Sequence, residues 1–163
     1  MMSDIQDLYQ QVILDHGRRP RCFGADPEAD IIQSGYNPLC GDRLTLYLRV
    51  SDGIVTNIQF DGEGCAISMA SASLMAQMLK GKSIKQVEAS FEAFSKMVTA
   101  NDDDLALDEM KAQLGKCAIL EGVKEYPSRV KCATLVWHAL KAGLAGQNNS
   151  PVSTEQEEAP QDD

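Results

Sequence analysis

The segment NPLCGDRL, residues 37–44, places a cysteine and an aspartate two positions apart with a glycine between them. Cys40 and Asp42 repel each other once both side chains are ionised. Gly41 lets the backbone bend so that both side chains can point toward one place. Because a divalent cation would offset the repulsion, the pattern indicates a metal site.

Two more cysteines stand where the predicted structure changes. Cys65 follows DGEG at the junction of a strand and a helix, and Cys132 lies in the first turns of the last helix. The positive end of a helix dipole favours a thiolate and lowers the thiol pKa below about 8.5. Three thiolates and one carboxylate suit a tetrahedral zinc ion. Arg129, one turn before Cys132, would neutralise part of the remaining negative charge.

The spacing of these ligands alone leaves an alternative open. The chain has no CxxC pair and the gaps between the cysteines are long, so buried cysteines that pack as small hydrophobic side chains would give a similar pattern. The glycines beside Cys40 and Cys65 favour the metal site, because core cysteines do not usually lie at breaks in structure.

Hydrophobic periodicity predicts an α+β fold, with a small antiparallel three-stranded sheet packed against several helices. Strict alternation indicates strands at 43–50 and 54–60, joined as a β-hairpin, and a weaker pattern suggests a third strand at 29–35. In the second strand, Thr56, Ile58 and Phe60 are predicted to share one face with Ile54. Helices are predicted at 4–15, 66–81, 82–99 and 127–143, with a short helical stretch at 111–126. The acidic segment 101–110 is predicted to be a break that can hold one turn of helix. The helix at 66–81 has an apolar stripe that runs from Ile67 to Met78.

Length and charge predict one domain at 1–145 and a disordered acidic tail at 146–163. The tail holds five acidic residues and no basic one, so it accounts for much of the net charge of −9. The rest of the chain holds 19 acidic and 15 basic residues. Nucleic acid is therefore not an expected partner, because phosphate binding needs a basic surface.

Cellular location is predicted from hydropathy and from the cysteines. No apolar run approaches the roughly 20 residues of a membrane span, and the N-terminus does not resemble a signal peptide. We therefore expect a cytoplasmic protein without a membrane partner. Five cysteines in a reducing compartment favour metal binding, thiol chemistry or burial over a disulfide framework.

Three segments together resemble one known family. NPLCGDRL, FDGEGCAISMASASLM and PSRVKCATLVWHAL are similar, in this order, to the three motifs of the SufU proteins, the IscU-like members of iron–sulfur cluster assembly. The resemblance runs from the N-terminal helix to about Gly143. Lys131 stands where IscU scaffolds have a histidine directly before the last cysteine. The helical segment 82–126 fits an insertion that distinguishes the SufU type.

The resemblance implies that Cys40, Asp42, Cys65 and Cys132 ligate one Zn²⁺ per chain. It also implies that Cys40 accepts sulfane sulfur from the persulfide of a cysteine desulfurase, SufS, and passes it to the SufBCD scaffold. We expect the desulfurase to displace Cys40 from the zinc with a ligand of its own, a histidine. The chain would then be a zinc-dependent sulfurtransferase, with Cys40 and Arg129 as its catalytic residues.

Two other functions stay open at the level of the sequence. A scaffold would assemble a [2Fe–2S] cluster on the same cysteines, lastingly or transiently, although Lys131 in place of histidine weakens that interpretation. A third possibility is a domain in which the zinc is purely structural. The sequence does not define the oligomeric state.

The remaining cysteines and histidines have plain interpretations. Cys22 is expected to be an incidental thiol in a loop, and Cys117 a helix cysteine without chemistry. His16 stands in a basic cluster, and this segment is expected to be a solvated loop. His138 is six residues beyond Cys132, on a different helix face, and is expected to pack or to face solvent. Trp137 is expected in the core.

Overall fold

The computed structural model describes the backbone of residues 2–99, 106–146 and 152–153, and the side chains of residues 9–99 and 106–146. An antiparallel sheet lies beside a group of helices, and the predicted fold class is confirmed. The elements in chain order are α1 Met2–Arg18, β1 Ile31–Asn37, β2 Asp42–Ser51, β3 Ile54–Glu63, α2 Ala66–Leu79, α3 Ile84–Met97, α4 Leu107–Leu114, a 3₁₀-helix Gly115–Val123, α5 Pro127–Leu144 and β4 Val152–Ser153.

The sheet has the strand order β3-β2-β1-β4. β1 pairs with β2, and β2 with β3, in antiparallel fashion, and the weaker third strand is confirmed two residues later than predicted. β4 adds a fourth, two-residue strand in which Val152 and Ser153 pair in parallel with Gly35 and Tyr36. This strand was not predicted from the sequence. Apart from Gly146 and this strand, the predicted acidic tail lies outside the described residues.

β2 and β3 shift register near their turn, where Thr56 of β3 is passed over in the pairing. Thr56 is exposed, whereas its neighbour Val55 is fully buried. The prediction that Thr56 shares a face with Ile58 and Phe60 is wrong, because the extra residue of a β-bulge reverses the alternation of side chains. Beyond the bulge, Ile58 and Phe60 are fully buried as predicted.

α2 is enclosed by α1, α5, the 3₁₀-helix and β3, and is buried over most of its circumference. The predicted stripe is part of this buried surface, because Ala70 and Leu74 are buried and Ile67 and Met78 pack against the core. These two side chains are only half-buried, while Ser68, Ser71 and Ser73 are buried. The small serine side chains let neighbouring elements approach α2 closely. Ser71 also donates to the carbonyl of residue 133 in α5 at 2.6 Å.

α5 lies close to β1, because both elements carry glycine where they meet. A Cβ atom on Gly35 would stand 3.1 Å from Leu135, and one on Gly143 would stand 3.1 Å from Ile31. Trp137 of α5 is fully buried, as predicted, and other large side chains fill the same core. This close contact fixes the start of α5, with Cys132, near the end of β1.

The helix limits agree closely with the sequence prediction, except that α1 extends past its predicted end to Arg18 and that the acidic segment differs. Of the predicted break at 101–110, residues 101–105 lie outside the described residues, and α4 begins at Leu107. Part of the short helical stretch predicted at 111–126 is a 3₁₀-helix. Among the described residues, no helix is both long and apolar enough to span a membrane.

Candidate metal centre

Cys40 stands at the tip of the β1–β2 hairpin. The last paired residues are Asn37 of β1 and Asp42 of β2, so residues 38–41 form the connecting loop. The backbone N–H groups of Cys40 and Gly41 both donate to the carbonyl of Asn37, at 3.3 and 2.9 Å. Gly41 has φ +74°, a left-handed conformation that glycine adopts without strain. The predicted bend is confirmed, and Cys40 is exposed.

Asp42 is fully buried at the first position of β2. Its Oδ1 accepts a hydrogen bond from the backbone N–H of Cys65 at 2.9 Å, and its Oδ2 accepts one from Nδ2 of Asn37 at 3.1 Å. The carboxylate is thus oriented by the strand beside it and by the start of α2. Each oxygen retains a lone pair for a cation.

Cys65 is the N-cap residue of α2, at the predicted junction of strand and helix. Its Sγ accepts a hydrogen bond from the backbone N–H of Ser68 at 3.4 Å. The hydrogen bond from Cys132, together with that from Ser68, lowers the pKa of Cys65 to about 6 against the opposing effect of burial. The helix start therefore favours a thiolate, as expected from the sequence.

Cys132 is buried in the second turn of α5, with 3% of its surface exposed. Its Sγ is 3.4 Å from Sγ of Cys40 and 3.5 Å from Nδ2 of Asn37. The hydrogen bond to Cys65, burial and the contact with Cys40 all raise the pKa of Cys132. The expected lowering of the thiol pKa at a helix start therefore applies to the half-buried Cys65 but not to the buried Cys132.

The ligand atoms of Cys40, Asp42 and Cys132 all lie within 4.8 Å of one another. Tetrahedral zinc with Zn–S distances near 2.3 Å needs sulfur ligands about 3.7 Å apart, close to the observed separation of Cys40 and Cys132. A buried carboxylate facing thiols is also costly unless a cation compensates it. These residues fit zinc. Cys65 is connected to these three residues through its hydrogen bond with Cys132. Ligation of the zinc by Cys65 stays a prediction.

Arg129 is exposed on α5, and its guanidinium lies 4.5 Å from the centre of the Tyr126 ring. Burial raises the pKa of the Tyr9 phenol, and the charge of Arg129 partly offsets this effect. The predicted neutralisation of the thiolates by Arg129 stays a prediction. Its position one turn before Cys132 places it instead beside two aromatic side chains.

The other cysteines have no such surroundings. Cys117 is fully buried in the 3₁₀-helix, and burial raises the pKa of its thiol to about 12. Cys22 is half-buried in the loop after α1 and packs against the core. Neither belongs to a metal-capable group among the described residues.

His138 is exposed and contacts the ring of Phe91 edge-on. This agrees with the prediction that His138 packs or faces solvent. His16 is buried rather than in a solvated loop, because α1 extends to Arg18 and packs on α2. Its Nδ1 lies 2.7 Å from Oγ of Ser73. Burial lowers the pKa of His16.

Three residues of this site were not singled out from the sequence. Asn37 contacts Asp42 and Cys132 directly, and Ser68 contacts Cys65. A Cβ on Gly64 would stand 2.9 Å from Oδ1 of Asp42, so this glycine leaves room for the carboxylate. The Asn-Pro pair at 37–38 indicates only a turn in the sequence, and only the hairpin register shows that the amide points inward.

An α+β fold with thiols and a carboxylate at a hairpin tip and two helix starts matches a known protein family. The chain belongs to the NifU-like N terminal domain family, whose model matches residues 8–133.

The chain is 41% identical over 143 residues to the zinc-dependent sulfurtransferase SufU of Bacillus subtilis (strain 168), covering 88% of this chain and 93% of that protein. It is 36% identical over 137 residues to the iron–sulfur cluster assembly scaffold protein IscU of Thermotoga maritima, covering 84% and 92%.

A solved structure shows the same fold. It is described as an iron–sulfur cluster assembly scaffold protein for the SUF system from Fervidobacterium islandicum AW-1 and aligns with a TM-score of 0.74 at 30% identity, covering 82% of this chain and 94% of that one. The resemblance to SufU and IscU-like proteins that the motifs indicated is confirmed.

Proposed function

We propose that this protein is a zinc-dependent sulfurtransferase of iron–sulfur cluster assembly, with Cys40 as the sulfur acceptor. The observation that carries the proposal is an asymmetry within the site. Cys40 is exposed on a hairpin tip, while Asp42 and Cys132 are buried at 0 and 3% exposure. The sulfur of Cys40 can therefore meet a partner protein while Asp42 and Cys132 stay in place.

The roles of the residues follow from their positions. Bound zinc would keep its cysteine ligands deprotonated at neutral pH. Asp42, Cys65 and Cys132, each fixed by a strand or a helix start, would hold the metal. Cys40 is joined to the sheet by a four-residue loop, so its sulfur can move with little disturbance of the other three residues.

The sulfur transfer balances without an outside oxidant. The Cys40 thiolate attacks the outer sulfur of a persulfide on the partner, forms a new S–S bond and breaks the old one. The partner's cysteine leaves as a thiolate, and Cys40 then carries the persulfide. We propose a cysteine desulfurase of the SufS type as the donor and a SufBCD scaffold as the acceptor, by analogy with the SufU relative. The cytoplasm is the proposed location.

The test is sulfide or alanine release by a SufS-type desulfurase with and without this protein. The proposal expects stimulation by the zinc-loaded wild type, loss of it in Cys40→Ala, and full stimulation by Cys22→Ser. Full stimulation by Cys40→Ala would exclude the proposal. If the zinc had a purely structural role, none of the three proteins would stimulate the desulfurase.

The similarity to IscU supports one alternative, assembly of a [2Fe–2S] cluster on the same cysteines. Protein purified without air separates the two functions. Stoichiometric, colourless zinc supports the sulfurtransferase, whereas brown protein that contains iron and sulfide supports the scaffold.

A further inference from the structure

Asn37 is the point at which the segments of the metal centre meet. It is the last residue of β1, is fully buried and stands directly opposite Asp42 in the hairpin. Its own backbone carbonyl receives the N–H groups of Cys40 and Gly41. The loop that carries the exposed thiol is therefore hydrogen-bonded to this one residue.

The side-chain amide of Asn37 has a defined orientation. Nδ2 donates to Oδ2 of Asp42 at 3.1 Å and is 3.5 Å from Sγ of Cys132, while Oδ1 accepts from the N–H of Leu39 at 3.2 Å. Turning the amide over would place its oxygen against a carboxylate and its NH₂ group against an N–H donor. The two amide protons therefore face the anionic ligands, and the oxygen faces the loop.

A neutral donor suits this position for an electrostatic reason. Asp42 and the thiols are like-charged when they bind a metal, and buried hydrogen bonds to charged groups stabilise the charge. An amide supplies such bonds without a positive charge that would compete with the cation. Outer groups of this kind orient metal ligands and tune the affinity of the site.

We propose that Asn37 is a positioning residue that keeps Asp42 and Cys132 in place when the Cys40 sulfur moves away. Its amide protons hold the two buried ligands, and its two oxygens hold the loop. The inference rests on the proposed function in one respect, since it takes these three residues as metal ligands.

Asn37→Asp tests the donor role most directly. Aspartate has the same shape and retains an oxygen for Leu39, but it loses both amide protons. We expect a folded protein by circular dichroism with an affinity for zinc, in chelator competition, on the order of 10- to 100-fold lower. Asn37→Ala should show a comparable loss. Asn57→Ala is the matched control, because that amide donates to Asp26, away from the thiols.

A second readout reports the ligand geometry itself. Cobalt(II) bound in place of zinc gives thiolate charge-transfer and ligand-field bands, and these should shift in Asn37→Asp but not in Asn57→Ala. Combining either Asn37 variant with Cys40→Ser should reduce zinc affinity further than Cys40→Ser alone. Wild-type affinity and wild-type cobalt bands in a folded Asn37→Asp would overturn the inference.

The two proposals fail in different ways. If the wild-type protein binds zinc but does not stimulate a desulfurase, the sulfurtransferase proposal is contradicted. The zinc and cobalt measurements then decide the role of Asn37 on their own. Stimulation together with Asn37 variants that bind zinc normally contradicts only the positioning role.

Discussion

The Sγ atoms of Cys40 and Cys132 lie 3.4 Å apart, although 92 positions separate the two residues in the chain. One sulfur is exposed and the other buried. A disulfide has an S–S distance near 2.05 Å, so a small movement of the hairpin tip would join them. The pair thus connects the surface of the protein to the buried residues that we propose as metal ligands.

Mild oxidation of the metal-free protein should link these two cysteines. With diamide as oxidant, two thiols lose two protons and two electrons, and diamide becomes the hydrazine. Peptide mapping without reductant should find the Cys40–Cys132 disulfide as the main product. Zinc loading should protect the two thiols from this oxidation. Cys22→Ser should not change the result. A product dominated by any other pair would contradict this geometry.

Gly64→Ala should weaken the metal centre without a general loss of stability. The added methyl group would stand 2.9 Å from Oδ1 of Asp42 and even closer to the hydroxyl of Ser68. Because the carboxylate must then shift, we expect zinc affinity about tenfold lower in chelator competition.

A double variant separates the two contacts of the added methyl group. Gly64→Ala with Ser68→Ala relieves the contact with Ser68 but not the one with Asp42, so zinc affinity should stay low. Recovery of normal affinity in this variant would show that the carboxylate had not been displaced.

Arg129→Ala should reduce sulfur transfer while leaving the zinc content and the melting temperature unchanged. The side chain is exposed and lies on Tyr126, where it can meet a partner's charge, and losing such a charge slows association. We expect a decrease on the order of tenfold in the rate at limiting protein concentration. Arg129→Lys should recover part of the rate.

Lys141→Ala is the control for that substitution. Lys141 lies on the same helix and its Nζ is 4.7 Å from the ring centre of Phe91, so the variant removes a similar cation–aromatic contact. Transfer should be normal. If Arg129→Ala and Lys141→Ala had the same effect, Arg129 would have no special function.

Asp26→Asn should lower the melting temperature at pH 7. The side-chain hydrogen bonds from Arg49 hold the pKa of Asp26 well below its usual range. A lowered pKa contributes stability above the unfolded value of about 3.9, and this contribution decreases as the pH falls below it. The difference from wild type in thermal unfolding should therefore narrow below about pH 4.

Glu28→Gln provides the comparison for Asp26. Its carboxylate is 3.6 Å from the same guanidinium but 76% exposed, so its loss should change the melting temperature little. An equal difference between Asp26→Asn and wild type at pH 3 and pH 7 would rule out the ionic contribution of Asp26.

The sequence was informative wherever a residue type and a local break coincided. Cys40 beside Gly41, and Cys65 after a strand, were predicted at a bend and at a helix start, and both positions are confirmed. Such signals are local, so they do not require knowledge of which segments pair.

The errors concern features that depend on distant partners. Thr56 faces solvent because of the register between β2 and β3, which the periodicity of one strand does not reveal. Asn37 points inward because it stands opposite Asp42, and His16 is buried because α1 packs on α2. The two residues of β4 are too few to show any periodicity. Asn37 and His16 therefore look solvated in the sequence, because their partners lie in distant segments.

The parallel pairing of β4 with β1 has a consequence for handling the protein. Ser153 lies beside Tyr36, so β4 runs toward the end of the sheet from which the Cys40 loop projects. A fluorophore or affinity tag fused shortly after β4 would therefore be introduced at the end of the sheet that carries Cys40. A fusion before α1 would begin roughly 22 Å of helix away from Gly17, where an added Cβ would stand 3.2 Å from Ala66, the residue beside Cys65. The amino end is thus the safer site for immobilisation.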